Sequence, residues 1–257
     1  MTISHLPVTP SLRLDNKRAL VTGAGRGIGL AAAAALATAG AHVTLMARTT
    51  SELEDAVSAI RLAGGSADAL TVDVTDIDQL NSAIDSHPIN DILVNNAGMN
   101  RPKPMVELTV EDYDAVMRLN VKSAFFAAQA FVKRLMSDDR TGVIINVSSQ
   151  MGHVGAVNRT LYCTSKWAIE GMTKAMAVEF GSRRIRVNTI CPTFIETPMT
   201  RGFLSDADFR RQVLEKIKLK RLGRLDDVMG GFVYLASDAS SLMTGSSLML
   251  DGGWTAE

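Results

Sequence analysis

The stretch Arg18-Ala19-Leu20-Val21-Thr22-Gly23-Ala24-Gly25-Arg26-Gly27-Ile28-Gly29 passes from a short apolar run through a glycine-rich turn into a segment of alanines and leucines. That order reads as a strand near 18–22, a tight turn and a helix near 27–39. A turn of this kind lets backbone approach an anion at a helix N-terminus, where unpaired N–H groups and the positive end of the dipole lie. The same rhythm continues downstream. Strands are expected near 42–46, 68–72, 91–94, 143–148, 185–190 and 247–250, and helices near 50–63, 76–86, 109–137, 157–182 and 226–236. Strands alternating with crossover-length helices predict one doubly wound α/β domain, a Rossmann-type parallel sheet of about seven strands with helices on both faces.

Ligands of such sheets bind beyond the carboxyl ends of the strands. The chemistry-bearing residues fall there: the glycine turn after the first strand, Asn95-Asn96-Ala97-Gly98 after the fourth, Ser148-Ser149 after the fifth and Cys191-Pro192 after the sixth. Tyr162 and Lys166 stand four residues apart, on one face of a helix, so the ammonium can lie near the phenol. Free tyrosine has a pKa of about 10, and a nearby cation lowers it. Residues 193–222 break the rhythm with Pro198, Gly202 and a charged segment. They are expected to form a lid over 194–222, with a fixed helical pair as the alternative.

Composition bounds the partners. The 257 residues are 46% hydrophobic, enough for one core, and 27 basic residues balance 27 acidic ones. That balance argues against nucleic acid or an anionic membrane surface as partner. Cys163 and Cys191 offer neither a disulfide framework nor zinc-ligand spacing, so reduced thiols in a cytoplasmic protein without a metal are expected. Residues 1–14 read as a loose N-terminal extension without the pattern of a secretory signal, and 15–257 as the domain.

Thr22 to Gly29, Asn95 to Gly98, Asn120, Ser149, Tyr162-x-x-x-Lys166, Asp73 and the closing Leu250-Asp251-Gly252-Gly253 together resemble the classical short-chain dehydrogenase/reductase family over nearly the whole chain. The resemblance implies a nicotinamide cofactor, with contacts from Gly23, Arg26, Gly27, Ile28, Gly29, Arg48, Asp73, Val74, Asn96, Ala97, Gly98, Tyr162, Lys166, Pro192, Ile195 and Thr197. Asp73 is equally a helix-capping residue. No acidic side chain occurs from 30 to 51, where one would bind the adenosine ribose of NAD. Arg48 and Arg26 instead suit a 2′-phosphate, which favours NADP(H) over NAD(H).

By the same resemblance Tyr162 exchanges the proton, Ser149 binds the substrate oxygen, Lys166 lowers the tyrosine pKa and bonds the nicotinamide ribose, and Asn120 kinks a helix and holds a water linking Lys166 to solvent. The family usually has Pro-Gly after the sixth strand, whereas this chain has Pro192-Thr193, which puts the path of 193–197 in question. Arg101, Gln150, His153, Asn158 and Arg159, with Met99, Met151, Phe194 and Phe203, are the expected substrate lining. This mixture suits a small carbonyl or alcohol substrate such as a sugar, polyol or sugar acid, and Asn95 to Glu107 resembles gluconate-type reductases. Reduction of a 3-oxoacyl thioester on acyl carrier protein, docked by Arg201, Arg210 and Arg211, is the alternative, and an NADP-sensing regulator or scaffold the non-enzymatic one. A homotetramer is expected through Ala124, Phe125, Ala128, Ala168, Met172 and Met176.

Overall fold

The computed structural model describes residues 8–257, with the side chain of Phe203 outside the described set. Seven strands form one parallel sheet: β1 (Arg18–Thr22), β2 (His42–Ala47), β3 (Ser66–Thr71), β4 (Ile92–Asn95), β5 (Gly142–Val147), β6 (Ile185–Pro192) and β7 (Ser247–Leu250), in the order β3-β2-β1-β4-β5-β6-β7. The order reverses between β1 and β4, which opens a crevice at their carboxyl ends. Register is continuous there, with Val21 opposite Val94 on one side and Leu45 on the other.

Alternation along each strand sorts the core into two layers. Ala19, Val21, Val43, Leu45, Ile92, Val94 and Ile145 face helices α1 (Gly27–Thr38), α2 (Thr50–Leu62) and α9 (Leu225–Ala236), where Leu36, Leu53 and Phe232 are fully buried. Leu20, Met46, Leu93, Ile144 and Val187 face the other way, onto α3 (Ile77–Ser86), α5 (Ser123–Ser137) and α6 (Thr160–Phe180) through Leu80, Phe131, Leu135 and Met176. Burying one such large side chain is worth about 1.5–3 kcal/mol.

Four expectations need correction. Leu14, placed at the end of the extension, is 1% exposed in the core, and its N–H donates to Ala39 O at 2.8 Å. The helix expected over 109–137 is α4 (Val110–Met117), a π-helical turn at Arg118–Lys122, then α5. Of the expected subunit contacts, Ala124, Ala128 and Met176 are buried in the chain's own core. The exposed apolar side chains on α5 and α6 are Phe125, Met136, Trp167 and Val178. Asp73 caps no helix: it accepts from Thr75 N–H and Oγ1, and Asp76 caps α3.

Residues 193–222 contain two helices, α7 (Pro198–Leu204) and α8 (Ala207–Lys216). Phe194, Leu204, Val213, Ile217 and Leu222 form a third apolar cluster with Met151 and Cys163, over the carboxyl end of the sheet. The ends of the segment are tied together, Gly223 N–H donating to Phe194 O and Glu196 N–H to Gly223 O, both at 2.9 Å.

Candidate active site

The glycine turn is shaped by contacts that exclude side chains. Gly23 has φ +63° and Gly27 φ +59°, a region in which L residues are strained. A Cβ on Gly29 would stand 2.3 Å from Gly23 O and 2.4 Å from Asn96 Nδ2. Asn96 locks the turn from β4, donating from Nδ2 to Thr22 O (2.9 Å) and Gly23 O (3.0 Å), while Thr22 Oγ1 accepts from the N–H groups of Asn96 and Ala97. No side chain caps the N-terminus of α1, which starts at Gly27 beside Thr197. Uncapped N–H groups in a cradle with no room for a Cβ fit a dinucleotide pyrophosphate.

The expected cofactor residues are not all disposed alike. Ile28 is half-buried against the core, and Val74 buries its side chain there. Thr197 caps α7, its Oγ1 accepting from Thr200 N–H. Ile195 is buried against Gly223. Pro192 ends β6, and Thr193 is absent from the positive-φ residues among those described, so the backbone there makes no demand for glycine. Arg48 is exposed just past β2 and its charge helps hold the Asp73 carboxyl below its usual range. Arg26 pairs with Glu52 Oε1 at 2.9 Å. Glu52 lies one residue beyond the acid-free stretch 30–51, and the sequence reading missed it.

The second half of the site sits at the ends of β5 and β6. Asn95 Nδ2 donates to Asn146 Oδ1 (2.9 Å), and Asn146 Nδ2 to Thr173 Oγ1 (2.8 Å), which fixes α6 against β4 and β5. Tyr162 and Lys166 are thereby brought to Ser149. The Ser149 side chain acts on the phenol, opposing the upward shift of its pKa, and its Oγ donates to Gln150 Oε1 at 2.8 Å. Lys166 Nζ sits 5.5 Å from the Tyr162 ring centroid and donates to Val147 O at 2.8 Å.

Burial pushes the Tyr162 phenol up to about 12, with Ser149 pulling the other way. Burial brings the Lys166 ammonium down to about 8 against the opposing charges of Cys191 and Glu170. The sequence expectation that Lys166 lowers the tyrosine pKa is therefore not met in this arrangement. Desolvation dominates, and the ammonium is aimed at a carbonyl of β5. Asn120, inside the π-helical turn, accepts from Met99 N–H (2.8 Å) and donates to Met99 O (2.9 Å) and Ser165 Oγ (3.1 Å). Ser165 Oγ in turn donates to Tyr162 O at 2.8 Å, so Asn120 reaches α6 through a serine the sequence reading overlooked.

Behind Lys166 lies a third missed residue, Glu170. Its Oε2 accepts from Ser247 Oγ (2.8 Å) and Thr189 Oγ1 (3.1 Å), and its Oε1 lies 3.3 Å from both Cys191 Sγ and His153 Nε2. The signal was present: 162, 166 and 170 are successive steps along one helical face.

A model of the family described as enoyl-(acyl carrier protein) reductase matches residues 23–255. The chain is also similar to L-xylulose reductase of Bos taurus, 38% identical over 245 residues, 95% of this chain and 99% of that protein. The chain belongs to the classical short-chain dehydrogenase/reductase family. This short-chain dehydrogenase/reductase is likewise similar to gluconate 5-dehydrogenase of Gluconobacter oxydans, 36% identical over 247 residues, 94% of this chain and 96% of that protein. Among solved structures, a gluconate 5-dehydrogenase from Burkholderia cenocepacia in complex with NADP and tartrate superposes with a TM-score of 0.92 at 34% identity, covering 96% of this chain and 98% of that one. As a short-chain dehydrogenase/reductase the chain is an oxidoreductase of CH–OH groups. Among the described residues no helix is long and apolar enough to cross a membrane.

Proposed function

We propose that the protein uses NADP(H) to interconvert a carbonyl and a secondary alcohol on a small polyhydroxylated substrate, a sugar, polyol or sugar acid. The observation that carries this reading is the convergence of Ser149, Tyr162 and Lys166 beside a glycine cradle that admits no side chain. Relatives named for xylulose and gluconate support the substrate class.

Gly23, Gly27, Gly29 and Asn96 would hold the dinucleotide, and the nicotinamide would supply or accept the hydride. Tyr162, neutral at working pH, donates its proton to the carbonyl oxygen in reduction; Ser149 donates a hydrogen bond to the same oxygen. Lys166 keeps positive charge behind the phenol as it becomes phenolate. In oxidation the proton returns to Tyr162. Tyr162→Phe is expected to leave NADPH binding within about threefold and to lower single-turnover reduction by about 10²- to 10⁴-fold. Undiminished turnover would remove Tyr162 from the reaction.

Preference for NADP(H) over NAD(H) rests on Arg48, exposed at the end of β2, with Arg26 reaching the same loop once it leaves Glu52. A cytoplasmic location accords with two buried free thiols. A homotetramer remains our reading of the chain's assembly, with Phe125, 47% exposed, and Trp167, 54% exposed, in place of the core alanines. Sedimentation of dilute protein as a stable monomer would rule that out.

A further inference from the structure

Behind Lys166, three side chains that no step of the reaction uses converge from three elements. His153, expected to line the substrate site, comes from the loop after β5, Glu170 from α6 and Cys191 from β6. Cys191 Sγ lies 3.5 Å from His153 Nε2 and 3.3 Å from Glu170 Oε1, and His153 Nε2 lies 3.3 Å from the same carboxylate oxygen. Glu170 is 5% exposed and Cys191 fully buried, while the His153 side chain is 31% exposed. The three atoms close a triangle inside the protein with one corner open to solvent.

Hydrogen bonding does not satisfy that triangle. Its three contacts share two protons, one on the thiol and one on Nε2, since an ionised carboxylate brings none. With both aimed at Glu170, the contact between sulfur and nitrogen is left without one. A cation at the centre satisfies all three. Zinc held at about 2.3 Å by sulfur and about 2.0–2.1 Å by nitrogen and oxygen, in a tetrahedron, sets sulfur about 3.5 Å from each of the others and those about 3.3 Å apart. The observed 3.5, 3.3 and 3.3 Å agree within about 0.2 Å. The surroundings are those of a ligand set. Glu170 Oε2 accepts from Ser247 Oγ at 2.8 Å and Thr189 Oγ1 at 3.1 Å, which fixes the carboxylate with its other oxygen toward sulfur and nitrogen. Ser148 is 3% exposed, and its Oγ has no hydrogen-bond partner among the described residues. A Cβ on Gly152 would stand 2.8 Å from that Oγ and 3.1 Å from Glu170 Cγ, so the hydroxyl borders the same cluster. Burial and the charge of Glu170 push the Cys191 thiol up to about 12, with Thr189 and Ser148 pulling the other way, so without an ion the sulfur keeps its proton.

We propose that His153, Glu170 and Cys191 bind one zinc ion, with water in the fourth position on the exposed side of His153. A thiolate beside an imidazole selects zinc over magnesium or calcium, which prefer oxygen donors alone. As the sulfur–zinc bond forms, the thiol proton passes to solvent. Zinc with one thiolate and one carboxylate is neutral, so binding cancels a buried negative charge one helical turn beyond Lys166. Positions 153, 170 and 191 are too widely separated to read as ligand spacing, which is why the sequence reading expected no metal.

The test titrates zinc into chelator-treated, untagged, full-length protein under a non-thiol reductant, against a chromogenic competitor, with cobalt as a spectroscopic stand-in. One zinc per chain is expected, with a dissociation constant below about 1 μM and no competition from magnesium. The cobalt form should show a thiolate-to-metal charge-transfer band and a tetrahedral visible spectrum. Cys191→Ser should remove that band, and His153→Ala should weaken zinc by at least about a hundredfold, against about tenfold for Ser247→Ala, which removes only an outer hydrogen bond. Absence of tight zinc binding by the wild type, or a cobalt spectrum without the thiolate band, would overturn the proposal, and both are read without any variant that must fold. So would zinc affinity unmoved by His153→Ala, which would place the ion elsewhere, as at His42 and Asp68 on β2 and β3.

Discussion

At the carboxyl ends of β1 and β4 the site is held by backbone. Gly23 and Gly27 take left-handed angles, Gly29 has no space for a Cβ, and one asparagine, Asn96, ties the two loops through peptide carbonyls. At the ends of β5 and β6 it is held by side chains, where Glu170 gathers Thr189, Ser247, Cys191 and His153. A region defined by backbone accepts one ligand shape and tolerates little change. A region defined by pairs of side chains can be retuned one pair at a time, which is how a shared cofactor site serves different substrates.

The contrast would break first at Gly29. Gly29→Ala places a methyl group 2.3 Å from Gly23 O, and NADPH affinity is expected to fall by at least about 10²-fold, since a displaced backbone donor loses its charge-assisted contact and strains its neighbours. By comparison Phe209→Ala, in α8, should move substrate KM and leave NADPH binding within about threefold. Fluorescence titration of both variants measures this. Comparable loss of NADPH affinity in the two would erase the distinction between the two halves of the site.

Arg48→Ala sharpens the comparison inside the cofactor half, because Arg48 acts by charge rather than by shape. The gap between NADP(H) and NAD(H) dissociation constants should narrow by about ten- to a hundredfold, with NAD(H) nearly unmoved. Glu52→Gln should shift the gap the other way by less, as Arg26 is released from its partner. Tighter NAD(H) than NADP(H) binding by the unaltered protein would place the arginines outside the phosphate site.

Lys166 lies at the boundary of the two halves and gives a pH signature. With the ammonium brought down to about 8, NADPH affinity should decline as pH climbs through that value, by up to about tenfold per unit. Stability moves oppositely. The folded group titrates near 8 and the unfolded one near 10.5, so between those values the unfolded chain binds more protons and folding becomes more favourable as pH rises. Lys166→Met should flatten that rise in denaturant titrations. A slope unchanged by the substitution would mean another group carries it.

The smallest effect concerns α7 and α8. If the segment is a lid hinged where Phe194 and Gly223 join, amide exchange across 198–216 should slow by a fewfold to tenfold on addition of NADP and a sugar acid, with the sheet unaffected. Strong protection that ignores ligands would make it a fixed helical pair.

The backbone-defined half was legible in sequence because glycine spacing reports backbone shape directly, and the strand rhythm of 18–22, 42–46 and 91–94 pointed to a doubly wound parallel sheet. Tyr162, Lys166 and Ser149 were legible for the same reason, fixed spacing on one helix and one strand end. The pairs were not. Arg101 with Asp112 and Arg26 with Glu52 join residues whose meeting depends on loop paths, and His153, Glu170 and Cys191 come from a loop, a helix and a strand. The direction of the tyrosine shift was missed because spacing places Lys166 near the ring without showing how deeply both are buried.

The π-helical turn at Arg118–Lys122 settles a conflict of phase. Asn120 must meet Met99 from the end of α4, while Ala127, Phe131 and Leu135 must meet the sheet from α5. An uninterrupted α-helix advances about 100° per residue and fixes both faces at once. One extra residue in the turn slips the angular position of everything downstream by that step, turning Ala124 and Ala128 inward and Phe125 outward. Deleting a single residue there would return a regular helix, and with it either the asparagine or the apolar stripe would face the wrong way.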